Sequence, residues 1–166
     1  MGDFDKCFDF TVGVEGGYSN NLHDKGGPTK YGITLPVLSA WRGGIELDAE
    51  DVECMDLAEA KDIYKHNYWT PIHGDELPQG IDLCTFDAAI NSGVSNAIRW
   101  LQAVIKVKVD GLLGPKTIIA AQTCEPGEVI NDLLNLREAY LRSLPDWKYF
   151  GKGWKHRIDN LRCAAL

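Results

Sequence analysis

Between Val14 and Thr34 the chain gathers two carboxyl groups, two tyrosines, two threonines and five glycines within twenty-one residues, VEGGYSNNLHDKGGPTKYGIT. Glu15 and Asp24 stand nine residues apart, and Thr29 follows Asp24 by five. Turn-forming residues fill the interval. Asn20, Asn21 and the run Lys25-Gly26-Gly27-Pro28 can fold the chain back so that both carboxyls face one cleft. A protonated Glu opposite an ionised Asp, with a hydroxyl to hold water, is what hydrolysis of a glycosidic bond requires. Glu15 has a physical reason to be the protonated member. Phe4, Phe8 and Val12 recur at spacing four, which predicts a helix over Asp3 to Val14 with Gly16 and Gly17 as its stop. A carboxyl at that helix C-terminus meets the negative end of the helix dipole, which disfavours its charged form. The plain alternative is a solvated glutamate at a helix end. Asp24 has its own alternative as an Asx-turn residue holding the loop. Thr29 can equally be a hairpin threonine with no chemical part.

Tyr18 and Tyr31 flank the loop, and each offers an apolar ring face for a sugar together with a hydroxyl for its polar groups. Asn91, where FDAAINSG ends a helix, can hydrogen-bond an N-acetyl group or simply close the helix. Trp69 and Trp100 fall at helical positions and read as core. Other chemistries lack their residues. The four histidines (His23, His66, His73, His156) form neither H-E-x-x-H nor H-x-x-x-H, so no zinc site is indicated. No G-x-S-x-G elbow or phosphate-cradling loop occurs, and no cofactor is called for. Five scattered cysteines without a C-x-x-C read as mostly buried, reduced thiols.

EGGY at Glu15 to Tyr18, followed by D-x-G-G-x-T-x-Y-G-I-T from Asp24 to Thr34, resembles the N-terminal signature of the family 108 glycoside hydrolases. These are lysozyme-like N-acetylmuramidases found among phage endolysins and bacterial secretion-activating muramidases. The Glu, Asp, Thr order is also similar to that of the phage lysozymes, where the Asp-to-Thr spacing is one residue longer. A second stretch, WLQAVIKVKVDGLLGPKTIIAA from Trp100 to Ala121, carries L-Q and V-D-G-x-x-G-P-x-T elements that resemble small helical peptidoglycan-binding modules. A plain turn between two helices accounts for the same Asp-Gly and Gly-Pro pairs.

The resemblance implies a mainly α, α+β lysozyme-like fold: a helical bundle with one small β-hairpin beside the active-site cleft. It further implies one catalytic domain over residues 1–166, with a wall-binding-like segment at 82–123 built into it. The implied reaction is cleavage of the β-1,4 bond between N-acetylmuramic acid and N-acetylglucosamine in peptidoglycan, leading to cell lysis. Glu15 would be the general acid. Asp24 would orient or activate water or stabilise charge on the sugar, and Thr29 would position water. Tyr18, Tyr31 and Asn91 would bind substrate. A lytic transglycosylase using Glu15 alone, and a non-catalytic wall-binding protein, are the alternatives.

The elements that must position these residues are mostly helices. Thr34 caps a helix from Leu35 to Arg42. An acidic patch follows at Asp48 to Glu53. Asp56 and Glu59 form a D-x-x-E start for a helix reaching Trp69. A loop spans Thr70 to Gly80, and Leu83 to Asn91 is a short central helix. Ser95 caps the next, and helices follow over Lys116 to Thr123, Glu128 to Leu144 and Trp154 to Leu166. Strand signal is confined to Tyr18 to Leu22 and Lys30 to Thr34.

With 45% hydrophobic and 25% charged residues in 166, the chain has the composition of a folded domain. A net charge of −7 argues against nucleic-acid binding. Arg137 to Leu166 runs against that trend, with seven Lys or Arg against three acids. This basic segment suits weak contact with an anionic envelope, or else a solvated helix face. The opening MGDFDKCFDF has no basic-then-apolar leader. The expectation is therefore a monomer made in the cytoplasm that reaches periplasmic peptidoglycan through holin-type release.

Overall fold

Apolar residues recurring at spacings of three and four become nine α-helices among the described residues, joined by one small antiparallel hairpin. The computed structural model describes residues 1–13, 17–20 and 27–166. Glu15 and Asp24 lie outside them. The chain divides into two compact units, Phe8–Asn67 and Met1–Cys7 with Tyr68–Leu166. The fold is mainly α.

The Phe8–Asn67 unit takes the second half of α1 (Phe4–Thr11), then β1 (Thr29–Lys30), β2 (Ile33–Thr34), α2 (Leu35–Trp41), α3 (Ala49–Cys54) and α4 (Leu57–Tyr64). Phe8, Ile33, Leu38, Val52, Met55, Ala60 and Ile63 form its buried interior. The stop of α1 falls earlier than Gly16-Gly17. Gly13 already adopts the left-handed conformation (φ +74°), and its N–H donates to the Phe8 carbonyl at 3.3 Å. The acidic patch at Asp48 to Glu53 is in fact α3. The Asp48 carboxylate accepts from the Glu50 and Asp51 N–H groups, and Asp51 returns a carboxylate to the Asp48 N–H at 2.9 Å. Asp56 caps α4 through the Glu59 N–H at 2.8 Å, as the D-x-x-E pattern predicts. The helix then widens into one π-helical turn, Lys65–Trp69. Of the strand expected at Tyr18 to Leu22, the described part forms a single bridge, Ser19 with Thr29.

The other unit is built on α5 (Ile81–Ser92), preceded by a 3₁₀ turn at Gly74–Glu76. Every residue of α5 from Ile81 to Ala89 is buried, as befits a helix enclosed on all sides. It packs against α6 (Val94–Val104), α8 (Pro126–Ser143) and α9 (Trp147–Ala165), while α7 (Pro115–Thr123) follows α6. Segment 82–123 thus comprises nearly all of α5 together with α6 and α7. The cap of α6 is Gly93 (φ +87°) rather than Ser95. α9 begins at Trp147 rather than Trp154, because Gly151 lets the helix close over the Trp147 ring, where a Cβ would come within 2.7 Å of ring atoms. Met1–Cys7 is tied to the base of α5. The Asp82 carboxylate accepts from the Asp3 N–H at 3.0 Å and from the Gly80 and Leu83 N–H groups, both at 2.7 Å. Trp69 is core, its ring 5.5 Å from both Phe4 and Phe86. Trp100 is half-buried against Tyr140. All five cysteines are free, but only Cys7 and Cys84 are buried. Cys54 and Cys163 are exposed because they fall on the solvent faces of their helices.

Candidate functional site

The Thr29–Thr34 hairpin pairs Thr29 with Thr34 and Lys30 with Ile33, leaving Tyr31-Gly32 as a two-residue turn. Both turn residues have positive φ, +52° and +75°, as the mirror-image turn favoured by hairpins demands. α4 holds this turn in place. The Tyr64 hydroxyl donates to the Tyr31 carbonyl at 3.0 Å, and a Cβ on Gly32 would lie 2.6 Å from the same oxygen. Ser19 and Thr29 exchange backbone hydrogen bonds of 2.8 Å, which carries Tyr18 to the hairpin's edge. The Thr29 hydroxyl donates to the Gly27 carbonyl at 3.1 Å. The Lys30 ammonium lies 5.5 Å from the centre of the Tyr31 ring. Tyr18, Thr29 and Tyr31 are each half-buried. The hairpin therefore collects three of the six sequence-predicted site residues.

Asn91 sits in the last turn of α5, exposed, with its amide nitrogen donating back to the Asp87 carbonyl at 3.0 Å. Beneath it lies a charge cluster that sequence reasoning missed. Asp87 is fully buried and meets two guanidinium groups. Arg157 donates to it through Nε at 2.9 Å and through Nη2, and Arg137 brings Nη1 to 2.6 Å. The Arg137 approach is an ion pair without hydrogen-bond alignment, and among the described residues its Nε has no hydrogen-bond partner either. Arg137, Arg157, Asn91, Tyr140 and Trp154 share the lining of a cavity of about 120 Å³. The available signal was an aspartate inside the apolar run FDAAIN, since a buried carboxylate requires a cation. Its partners lie too far along the chain for spacing to reveal them.

The stretch from Trp100 to Ala121 is organised by one buried side chain. Gln102 Oε1 accepts from the Asp110 and Gly111 N–H groups at 3.0 and 2.9 Å, and its Nε2 donates to Asp110 Oδ1 at 2.9 Å and the Leu112 carbonyl at 3.0 Å. The L-Q and D-G elements are thus two halves of a clamp on the α6–α7 connection. These bonds, the Gln102 amide first and the Leu112 N–H second, hold the Asp110 carboxyl below its ordinary range.

Thiol chemistry is suppressed where cysteines are buried. Burial, then the nearby Asp87, pushes Cys84 up to about 12, and burial with the Asp82 carboxylate drives Cys7 upward as well. Among the described residues, no group of three or more His, Cys, Asp or Glu is gathered to hold a metal ion.

A mainly α chain with one short antiparallel hairpin among its described residues has the lysozyme-like fold class. The Glycosyl hydrolase 108 family model matches residues 8–93, and the chain belongs to that family. The solved structure of Brucella abortus SagA is similar over 98% of this chain and 93% of that one, with 40% identity and a TM-score of 0.85. No curated protein matches the chain in sequence. The matched segment spans all six sequence-predicted site residues, Glu15, Tyr18, Asp24, Thr29, Tyr31 and Asn91, and the chain is a glycoside hydrolase.

Proposed function

We propose that this glycoside hydrolase is an N-acetylmuramidase that cleaves the β-1,4 bond between N-acetylmuramic acid and N-acetylglucosamine in peptidoglycan and so lyses bacterial cells. Membership of family 108 carries the reading, because the matched segment holds both carboxyl residues and the hairpin beside them in sequence. Glu15 protonates the glycosidic oxygen as the bond breaks. Asp24 orients or activates the attacking water or stabilises positive charge on the sugar, and Thr29 positions the water. Tyr18 and Tyr31 stack on or donate to the sugars, and Asn91 binds an N-acetyl group through its amide oxygen, the nitrogen being engaged with Asp87. Delivery to the periplasm through a holin-type pore belongs to the same reading.

The test is incubation of purified peptidoglycan with wild type and Glu15→Gln, followed by mass spectrometry of the soluble products. Reducing muramic acid ends from wild type alone support the assignment. Anhydromuramic ends would make the enzyme a lytic transglycosylase. Wall binding by both proteins with no products from either would leave a binding protein.

A further inference from the structure

A cavity of about 510 Å³ opens on α2, lined by Pro36, Val37, Ala40, Trp41, His66 and Asn67. Its volume falls within the roughly 300–1,000 Å³ of small-molecule sites. β2 runs into α2 without a break, so the hairpin and this cavity are carried on one continuous segment of the Phe8–Asn67 unit. Three features give the cavity a chemical character. Trp41 leaves 37% of its surface exposed, and its ring is steadied by His66, with centroids 5.5 Å apart and planes inclined at 60°. Asn67 is half-buried, yet its side chain forms no hydrogen bond with any described residue. His66 is the one titratable residue in the lining, so a charged ligand would find no fixed counter-charge. The π-helical turn brings the consecutive residues His66 and Asn67 to this wall, the kind of local irregularity that recurs at functional sites.

An indole face suits the C–H surface of a pyranose ring. A carboxamide, with one acceptor and two donors, is the direct complement of an acetamido group. We infer that this cavity is an accessory subsite for one uncharged N-acetylhexosamine ring of a glycan strand, stacked on Trp41 and held at its N-acetyl group by Asn67. The inference rests on the proposed action on peptidoglycan for the presence of such a strand. It adds a place where the strand is gripped away from the residues assigned to chemistry.

The test is a titration of ¹⁵N-labelled Glu15→Gln protein with the tetramer of N-acetylglucosamine, following the tryptophan indole N–H signals. Trp41→Phe in the same background assigns the Trp41 signal. That signal should shift saturably while the signal of fully buried Trp69 stays in place. In kinetics on peptidoglycan with the native Glu15, Trp41→Ala and Asn67→Ala should each raise KM about three- to tenfold, and more than they lower kcat. Far-UV circular dichroism establishes that both variants fold, and Asn67→Ala serves if Trp41→Ala does not. An unmoved Trp41 signal at saturating tetramer overturns the inference, as does an unchanged KM in both variants. A Trp41 shift driven by protein concentration without sugar would also overturn it, assigning the face to a second copy of the chain. If wild type releases no products at all, the muramidase reading fails, while the sugar titration still decides the fate of the subsite.

Discussion

Replacing Asp87 by Asn should bring the protein close to unfolding. The carboxylate is fully buried and faces Arg137, itself only 1% exposed, at 2.6 Å, together with Arg157 through two nitrogens. An asparagine keeps the volume and an acceptor oxygen but removes the charge, so Arg137 is left as a buried cation without neutralisation. Losing one partner of such a pair costs about 3–5 kcal/mol. A chain of this size loses roughly 2–4 °C of Tm per kcal/mol, which puts the fall at about 6–20 °C. That is a large share of a total stability of about 5–15 kcal/mol. Urea unfolding at pH 7, followed by circular dichroism, measures it as a drop in midpoint at unchanged slope. Two comparisons sharpen the reasoning. Asp87→Leu combined with Arg137→Met removes both buried charges and should recover much of the loss. Asp159→Asn, which breaks the exposed Lys155 pair, should leave the midpoint unchanged. Asp87→Asn within about 1 kcal/mol of wild type would refute the argument, since the buried cation would then need no counter-charge.

Gly32→Ala should destabilise by about 1–2 kcal/mol through its left-handed backbone alone, and further through the approach of its Cβ to the Tyr64 hydroxyl. Adding Tyr64→Phe should recover the steric share, read from the same urea midpoints. Asp110 titrates below its ordinary range in the folded protein, so its contribution is complete above the normal carboxylate range and disappears as pH falls through the lowered value. Asp110→Asn should therefore flatten the acid limb of a midpoint-against-pH plot, and an identical limb in the variant would contradict the Gln102 clamp. Ellman's reagent on native protein should modify Cys54 and Cys163 first and Cys124 more slowly, leaving Cys7 and Cys84 unreactive until denaturant is added. Fast modification of Cys84 would mean that α5 is not enclosed.

Helices with an apolar stripe were legible because burial of one face imposes its own period, and α6 shows it with Ala97, Ile98 and Leu101 buried along one side. Features carried by polar residues were harder to read. α3 is held by an acidic capping box, and Asp48 with Asp51 was a start signal available in the sequence. α9 reads from the sequence as starting at Trp154, whereas the missing side chain of Gly151 admits the Trp147 ring and the helix begins seven residues earlier. At the site, the hairpin was readable only in outline: the strand signal runs unbroken over Lys30 to Thr34, whereas Tyr31-Gly32 form the turn within it, the tyrosine taking a left-handed backbone that its residue type does not announce. Asp87 and its two arginines were not readable, because an ion pair between residues 70 apart leaves no periodic trace. Gln102 reads as half of a motif rather than as a clamp for a different reason: its partners lie only eight to ten residues on, but most of them are backbone groups of a turn, which residue types do not reveal.

The unit built on α5 is discontinuous, with its first seven residues separated from the rest by the whole Phe8–Asn67 unit. Asp3 and Cys7 lie 79 and 75 residues ahead of the Asp82 carboxylate they contact. During synthesis, the opening segment therefore emerges long before its docking partner has been translated. The Phe8–Asn67 unit has its full set of residues while that segment still waits. The entropic toll of closing so long a span grows only logarithmically with length, so the interruption weighs little on the finished molecule and mainly on the order of its assembly. Docking of Met1–Cys7 onto α5 is then a late event in biogenesis.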